Sequence, residues 1–155
     1  MKLTTKGRYA VTAMMDLALH AKIDAIALTD IATRQNISSA YLEQLFSSLR
    51  KAGLINSTRG AKGGYQLARS DKEISLADIL LAADEEIDLT CGGGKTCDEN
   101  QPCLTHSLWN NLSEEFFIFL DGKKLSDLVR SRYVQTMATL QDVTQVGDIP
   151  VTVGN

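Results

Sequence analysis

A mainly α-helical fold carrying one small β-hairpin is predicted by three observations. Apolar residues recur at three-and-four spacing over 7–21 and again over 104–120, a pair of short capped helices spans 28–52, and two strand-like runs flank a basic, glycine-rich turn at 59–64. The first helix is read from Ala10, Val11, Met14, Leu17, Ala18 and Ala21, which line one face. The second runs over Leu28–Asn36, with Thr29 as its expected N-cap, Asp30 favourable near the N-terminus, and Asn36 suited to a left-handed C-terminal position. After Ile37, Ser38 or Ser39 caps a third helix. Its apolar residues Leu42, Leu45, Phe46 and Leu49 share a face, it stops at Ala52-Gly53, and Tyr41, Glu43, Gln44, Ser48 and Arg50 are left on other faces.

Two short helices joined by a tight polar turn, the second presenting hydrogen-bonding side chains, form the helix-turn-helix pattern of DNA-binding proteins. Leu54–Thr58 reads as a strand, Arg59-Gly60-Ala61-Lys62-Gly63-Gly64 as a turn, and Tyr65–Ala68 as the returning strand. Such a hairpin is a wing. Glycines permit close approach to a phosphate backbone, Arg59 and Lys62 supply positive charge, and an arginine at a wing tip suits a narrow minor groove. Ser75 and Asp78 have capping-box spacing ahead of a short helix through Ala83. Beyond a polar, acidic stretch, Leu108, Trp109, Leu112, Phe116, Phe119 and Leu120 mark a long helix that wants a large partner surface, followed by a short helix over Ser126–Arg132.

Composition agrees with an ordinary globular chain. The 155 residues are 44% hydrophobic and 23% charged, with 16 Lys plus Arg against 19 Asp plus Glu. The net charge of −3 conceals an asymmetry: residues 1–80 carry 11 basic and 7 acidic groups, whereas residues 81–155 carry 5 and 12. The basic half permits contact with a polyanion, and the acidic half is better suited to self-association or sensing. No apolar run approaches the ~20 residues of a spanning helix and no secretory signal precedes the first helix, so a cytoplasmic protein that does not enter membranes is expected.

The three cysteines, Cys91, Cys97 and Cys103, fall within one stretch, and His106 follows in the pattern C-x5-C-x5-C-x2-H. An odd number in a reducing compartment argues against a disulfide framework. Three thiolates and one imidazole can close a structural zinc site or ligate a [2Fe-2S] cluster, and ligand count does not separate the two. The x5 spacings are wider than the C-x2-4-C of common zinc fingers, and Gly92-Gly93-Gly94 would let backbone fold around inorganic sulfide. A cysteine nucleophile with His106 as base would make the chain an enzyme, but no orienting third group, oxyanion-hole motif or cofactor fingerprint accompanies them.

Lys6-Gly7-Arg8-Tyr9-Ala10-Val11, Tyr41-Leu42-Glu43-Gln44-Leu45-Phe46, Arg59-Gly60-Ala61-Lys62-Gly63-Gly64-Tyr65 and the cysteine-histidine pattern together resemble the IscR-type iron-sulfur cluster regulators. The resemblance covers about residues 1–130. It implies a homodimeric winged-helix transcription factor, repressing or activating genes of cluster assembly, with Cys91, Cys97, Cys103 and His106 holding a [2Fe-2S] cluster delivered by iron-sulfur assembly proteins. It makes 38–50 the recognition helix, the DNA-binding set being Ser38, Ala40, Tyr41, Glu43, Gln44, Arg50, Arg59 and Lys62. Glu43 and Gln44 would then read bases of a palindromic or near-palindromic operator, with Arg59 in the minor groove. Ala40 departs from the serine common in close relatives, which removes one expected hydroxyl contact. Relatives that sense nitric oxide or cysteine availability differ in cysteine number or spacing, so the pattern favours the cluster-homeostasis branch. The expected organisation is a DNA-binding domain over 1–83, a cluster-binding loop over 84–106, a dimerisation helix with a short terminal helix over 104–132, and a flexible tail over 133–155.

Overall fold

The computed structural model describes residues 3–90 and 101–147. Its elements are α1 (Thr5–His20), α2 (Leu28–Gln35), α3 (Ser39–Lys51), β1 (Ile55–Thr58), β2 (Gly64–Leu67), α4 (Leu76–Ala82), α5 (His106–Gly122), α6 (Leu125–Arg130) and α7 (Arg132–Gly147). The mainly α fold with a hairpin wing is therefore present. Local chemistry accounts for most boundaries. Thr4 caps α1 by accepting from the Gly7 amide, Ser38 caps α3 by accepting from the Tyr41 amide, and Ser75 and Asp78 close a full capping box at α4. Asn36 ends α2 in the left-handed region at φ 52°, as its short polar side chain permits.

The N-cap of α2 differs from expectation. The helix begins at Leu28 behind Ala27, without a side-chain cap, so Thr29 lies inside the first turn. A tertiary contact sets this boundary: Ile26 pairs with Tyr65 through two backbone hydrogen bonds of 2.9 and 2.8 Å, which fixes the chain direction immediately upstream. Gly64 permits the approach, since a Cβ there would lie 2.3 Å from the Ile26 carbonyl oxygen. The wing is thus clamped to the loop that launches α2.

The core collects Ala10, Ala13, Met14 and Leu17 of α1, Ile31 of α2, and Leu42, Leu45, Phe46 and Leu49 of α3. Leu54, Ile55, Ile74, Ile79, Leu125 and Val129 are among the others that join it. Strands β1 and β2 pair antiparallel with Ile55 opposite Leu67 and Thr58 opposite Gly64, and the Tyr65 ring stands edge-on to Phe46 at 4.7 Å. A buried polar cluster joins α1 to α2. The Asp16 carboxylate, with no solvent exposure, accepts from Arg34 Nε at 2.9 Å, Arg34 Nη2 at 2.7 Å and Gln35 Nε2 at 2.7 Å. Those bonds raise the Arg34 pKa further above its already high ordinary value.

The C-terminal segment corrects a second expectation. Residues 133–147 were expected within a flexible tail, yet they continue the helix α7, in which Val134, Ala138 and Gln141 turn toward α1 and α2. Gln141 exchanges hydrogen bonds with Gln35, and Asp142 Oδ1 lies 3.1 Å from His20 Nε2. The docking face mixes the apolar Val134 and Ala138 with Gln141, and its hydrogen bonds reach partners on α1 and α2 that are distant in sequence. Among the described residues no helix is long and apolar enough to cross a membrane.

Candidate nucleic-acid interface and cysteine-bearing segment

Helix α3 buries one face and displays the other. Leu42, Leu45, Phe46 and Leu49 are at most 1% exposed, whereas Ser38, Ala40, Glu43, Gln44 and Arg50 all face solvent. Tyr41 is half-buried, its ring edge-on to Tyr9 at 5.6 Å. A single apolar stripe therefore orients Glu43, Gln44 and Arg50 outward. At the far end, Arg50 Nη1 donates to Ser57 Oγ at 3.3 Å, tying the helix to β1. Arg59 and Lys62 are exposed on the wing turn, which is closed by the Gly63 amide donating to the Gly60 carbonyl at 2.9 Å. Helix and wing present hydrogen-bonding groups and cations over one rigid unit, which is the chemistry of base reading plus phosphate attraction.

Sequence reasoning gave no individual role to two neighbours of this surface. Lys6 lines a groove with Tyr41, Gln44 and Leu45, and Tyr9 supports Tyr41. The available signal was the basic first turn of α1 behind its Thr4 cap.

Of the four candidate metal ligands, Cys91 and Cys97 lie outside the described residues. Cys103 and His106 are brought together at the head of α5, where the His106 amide donates to the Cys103 carbonyl at 3.1 Å. Cys103 Sγ lies 3.5 Å from Thr105 Oγ1, which also accepts from Trp109 Nε1 at 3.1 Å, and His106 Nε2 lies 3.1 Å from Asn110 Nδ2. A thiol and an imidazole one turn apart are a donor set that suits zinc or an iron-sulfur cluster. Among the described residues no group of three potential ligands converges. The segment leading to the cysteines is nevertheless positioned: the Leu89 amide donates to Ser113 Oγ of α5 at 2.8 Å. The Thr90 amide donates to Asp88 at 2.7 Å, and the Thr90 hydroxyl and amide together hold the Asp88 carboxyl below its ordinary pKa.

Among the described residues, only one edge of α5 is covered. Leu120 is buried and Phe116 half-buried against Ala77 and Leu80 of α4, while Leu108, Trp109, Leu112, Phe117, Ile118 and Phe119 are 36–62% exposed. Six large apolar side chains on one exposed helix exceed what a scattered surface explains.

The comparisons with known proteins agree with this architecture. Residues 3–131 match the Rrf2 family, described as an iron-dependent transcriptional regulator. The chain is 50% identical to the HTH-type transcriptional regulator IscR of Aliivibrio salmonicida, over 92% of this chain and 86% of that one. Against IscR of Xenorhabdus nematophila the identity is again 50%, covering 92% and 87%. Among solved structures, T. potens IscR superposes with a TM-score of 0.69 at 38% identity, covering 84% of this chain and 87% of that one. CymR, the global cysteine regulator of B. subtilis, gives 0.72 at 36%, covering 83% and 95%. These relatives are transcription regulators, not enzymes, which sets aside a catalytic use of the cysteines. The chain belongs to the Rrf2 family, as an IscR-type winged-helix transcription regulator.

Proposed function

We propose that the chain acts in the cytoplasm as a homodimer that reports iron-sulfur cluster status to the genes of cluster assembly. Two recognition helices would enter successive major grooves of a palindromic or near-palindromic operator, ~34 Å apart. The observation that carries the DNA reading is the α3 face: Ser38, Ala40, Glu43, Gln44 and Arg50 are exposed while every large apolar residue of the helix is buried. Glu43 accepts a hydrogen bond from cytosine N4 and repels acceptor edges, so it filters sequence. Tyr41, Arg59 and Lys62 complete the contact surface. Substituting Glu43→Ala is expected to narrow the spread of affinities across a panel of operators; unchanged relative affinities would count against base reading by Glu43. For Arg59→Ala the expectation is a loss on all sequences alike, and an unaltered binding curve at fixed salt would remove the wing from the interface.

Cys91, Cys97, Cys103 and His106 would hold a [2Fe-2S] cluster obtained from iron-sulfur assembly proteins. The cluster, when bound, supplies oxidant- and iron-sensitive occupancy. Support comes from the Cys103 and His106 pair at the head of α5 and from 50% identity to relatives named IscR. The dimer reading rests on the uncovered apolar side chains of α5, whose burial against a second copy removes them from water. The TM-score of 0.72 with a cysteine regulator favours a second reading, a thiol-sensing or zinc-bearing site on the same scaffold. Protein purified without oxygen separates them. Brown protein with about two irons and two sulfides per chain, lost in Cys97→Ala, is the expected result. Colourless protein with about one zinc per chain would make the metal structural.

A further inference from the structure

Helix α1 begins beside the recognition helix, and its first turn is held by an acidic pair from the far end of the domain. Glu85 Oε1 accepts from the Thr4 amide at 3.2 Å and the Gly7 amide at 3.1 Å, and it also contacts the Thr4 hydroxyl. This carboxylate satisfies amides that a helix N-terminus leaves open. Gly7 makes room for it, since a Cβ there would lie 2.5 Å from Oε1. The preceding residue, Asp84, adopts φ 58° as α4 ends, with its amide donating to the Leu81 carbonyl and that of Glu85 to the Leu80 carbonyl, both at 3.0 Å. Anchored on both sides, Asp84 places Oδ2 2.5 Å from Lys6 Nζ. Lys6 is the cation that lines the groove with Tyr41 and Gln44.

We propose that Lys6 is a phosphate contact at the margin of the DNA-facing surface and that Asp84 competes with DNA for it. The inference rests on the reading of α3 as the DNA-facing helix. The side chains of Lys6 and Asp84 are 37% and 78% exposed, so their pairing is weak and open to exchange. A duplex phosphate offers the same ammonium a stronger field, together with release of condensed counterions. The proximity of Lys6 also keeps the Asp84 carboxyl below its ordinary pKa, so the competitor is ionised at neutral pH. Asp84 thereby lowers affinity for every sequence equally, while Glu43 and Gln44 act on particular bases.

The test measures anisotropy of a fluorescent random-sequence duplex titrated with the full chain over a series of salt concentrations. Lys6→Ala is expected to weaken binding and to reduce the slope of log affinity against log salt by about 0.9, the share of one phosphate contact. Lys6→Arg should retain both. Asp84→Asn should tighten binding about two- to fivefold at fixed salt, the range that an exposed pair supports. The double variant Lys6→Ala,Asp84→Asn should match Lys6→Ala alone. Equal tightening by Asp84→Asn in both backgrounds would overturn the proposal, because the effect would then be diffuse charge and not competition for Lys6. Lys6→Arg behaving like Lys6→Ala, or Lys6→Ala leaving affinity and slope unchanged, would overturn it as well. Arg59→Ala measured on the same duplex separates the two levels: if it also binds unchanged, the winged-helix interface itself is wrong.

Discussion

The winged domain and the helical arm that follows it handle apolar surface in opposite ways. In the domain, α3 hides all four of its large aliphatic and aromatic core residues and leaves Ala40 and polar groups outside. In the arm, α5 buries only Leu120 against the described residues and leaves Trp109, Phe117 and Phe119 exposed there. The first region is a finished hydrophobic unit whose exposed face is free to be chosen for recognition. The second leaves, among the described residues, an apolar face uncovered, which is the surface proposed above to meet a second copy. The two also differ in how polar groups are buried. Asp16 is enclosed with every oxygen occupied, whereas the polar groups of α7 meet α1 and α2 near the solvent edge.

Substitutions in the two regions should therefore fail differently. Phe46→Ala removes the fully buried ring that packs on both the core and Tyr65, and a loss of roughly 3–5 kcal/mol in chemical denaturation is expected. Asp16→Ala strands the Arg34 guanidinium, and about 3 kcal/mol should be lost in the same assay. A loss below about 1 kcal/mol would mean that Arg34 finds solvent easily and that the pair is not a strut between α1 and α2. Leu112→Glu on α5 should behave unlike either. Folded stability of the winged domain should hardly change, while sedimentation should show a monomer where a dimer is expected of the parent; a persistent dimer would break the contrast drawn between domain and arm.

Smaller effects sharpen the picture at the boundaries. Ser75→Ala removes the capping-box hydroxyl of α4, and about 1 kcal/mol should be lost in denaturation. The pH response of Asp84 is smaller still. Its folded pKa lies below the ordinary carboxylate value, so its stabilising contribution is complete above that value and is lost as pH falls through the depressed folded pKa. Thermal melts of Asp84→Asn should accordingly lie slightly below the parent at neutral pH and converge with it in acid. Parallel offsets at both pH values would place the effect elsewhere.

The local grammar of the winged domain was legible in its residues. Ser38, Asn36, Ser75 and Asp78 act within three or four positions of themselves, and the α3 stripe needs only the helical period to sort inside from outside. The candidate DNA-facing side chains followed from the same sorting, since whatever is off the stripe is outside. Thr29 misled because a good capping residue does not decide where a helix starts when Ile26 is already paired to Tyr65. The helix α7 was hidden for a related reason: its inward residues include Gln141, whose partner Gln35 lies 106 residues away.

By itself, the sequence determined most of the helices, the start of α2 and all of α7 excepted, together with the wing and the clustering of cysteines with His106, because each rests on backbone chemistry or periodicity within a few residues. Tertiary structure alone decided that Asp16 would be enclosed by Arg34 and Gln35, that Glu85 would cap a helix 81 residues upstream of it, and that Lys6 would stand between Asp84 and α3. Each of these assigns a charged side chain one partner among many of the right type, and only the packed core, by fixing which helix ends meet, makes that choice.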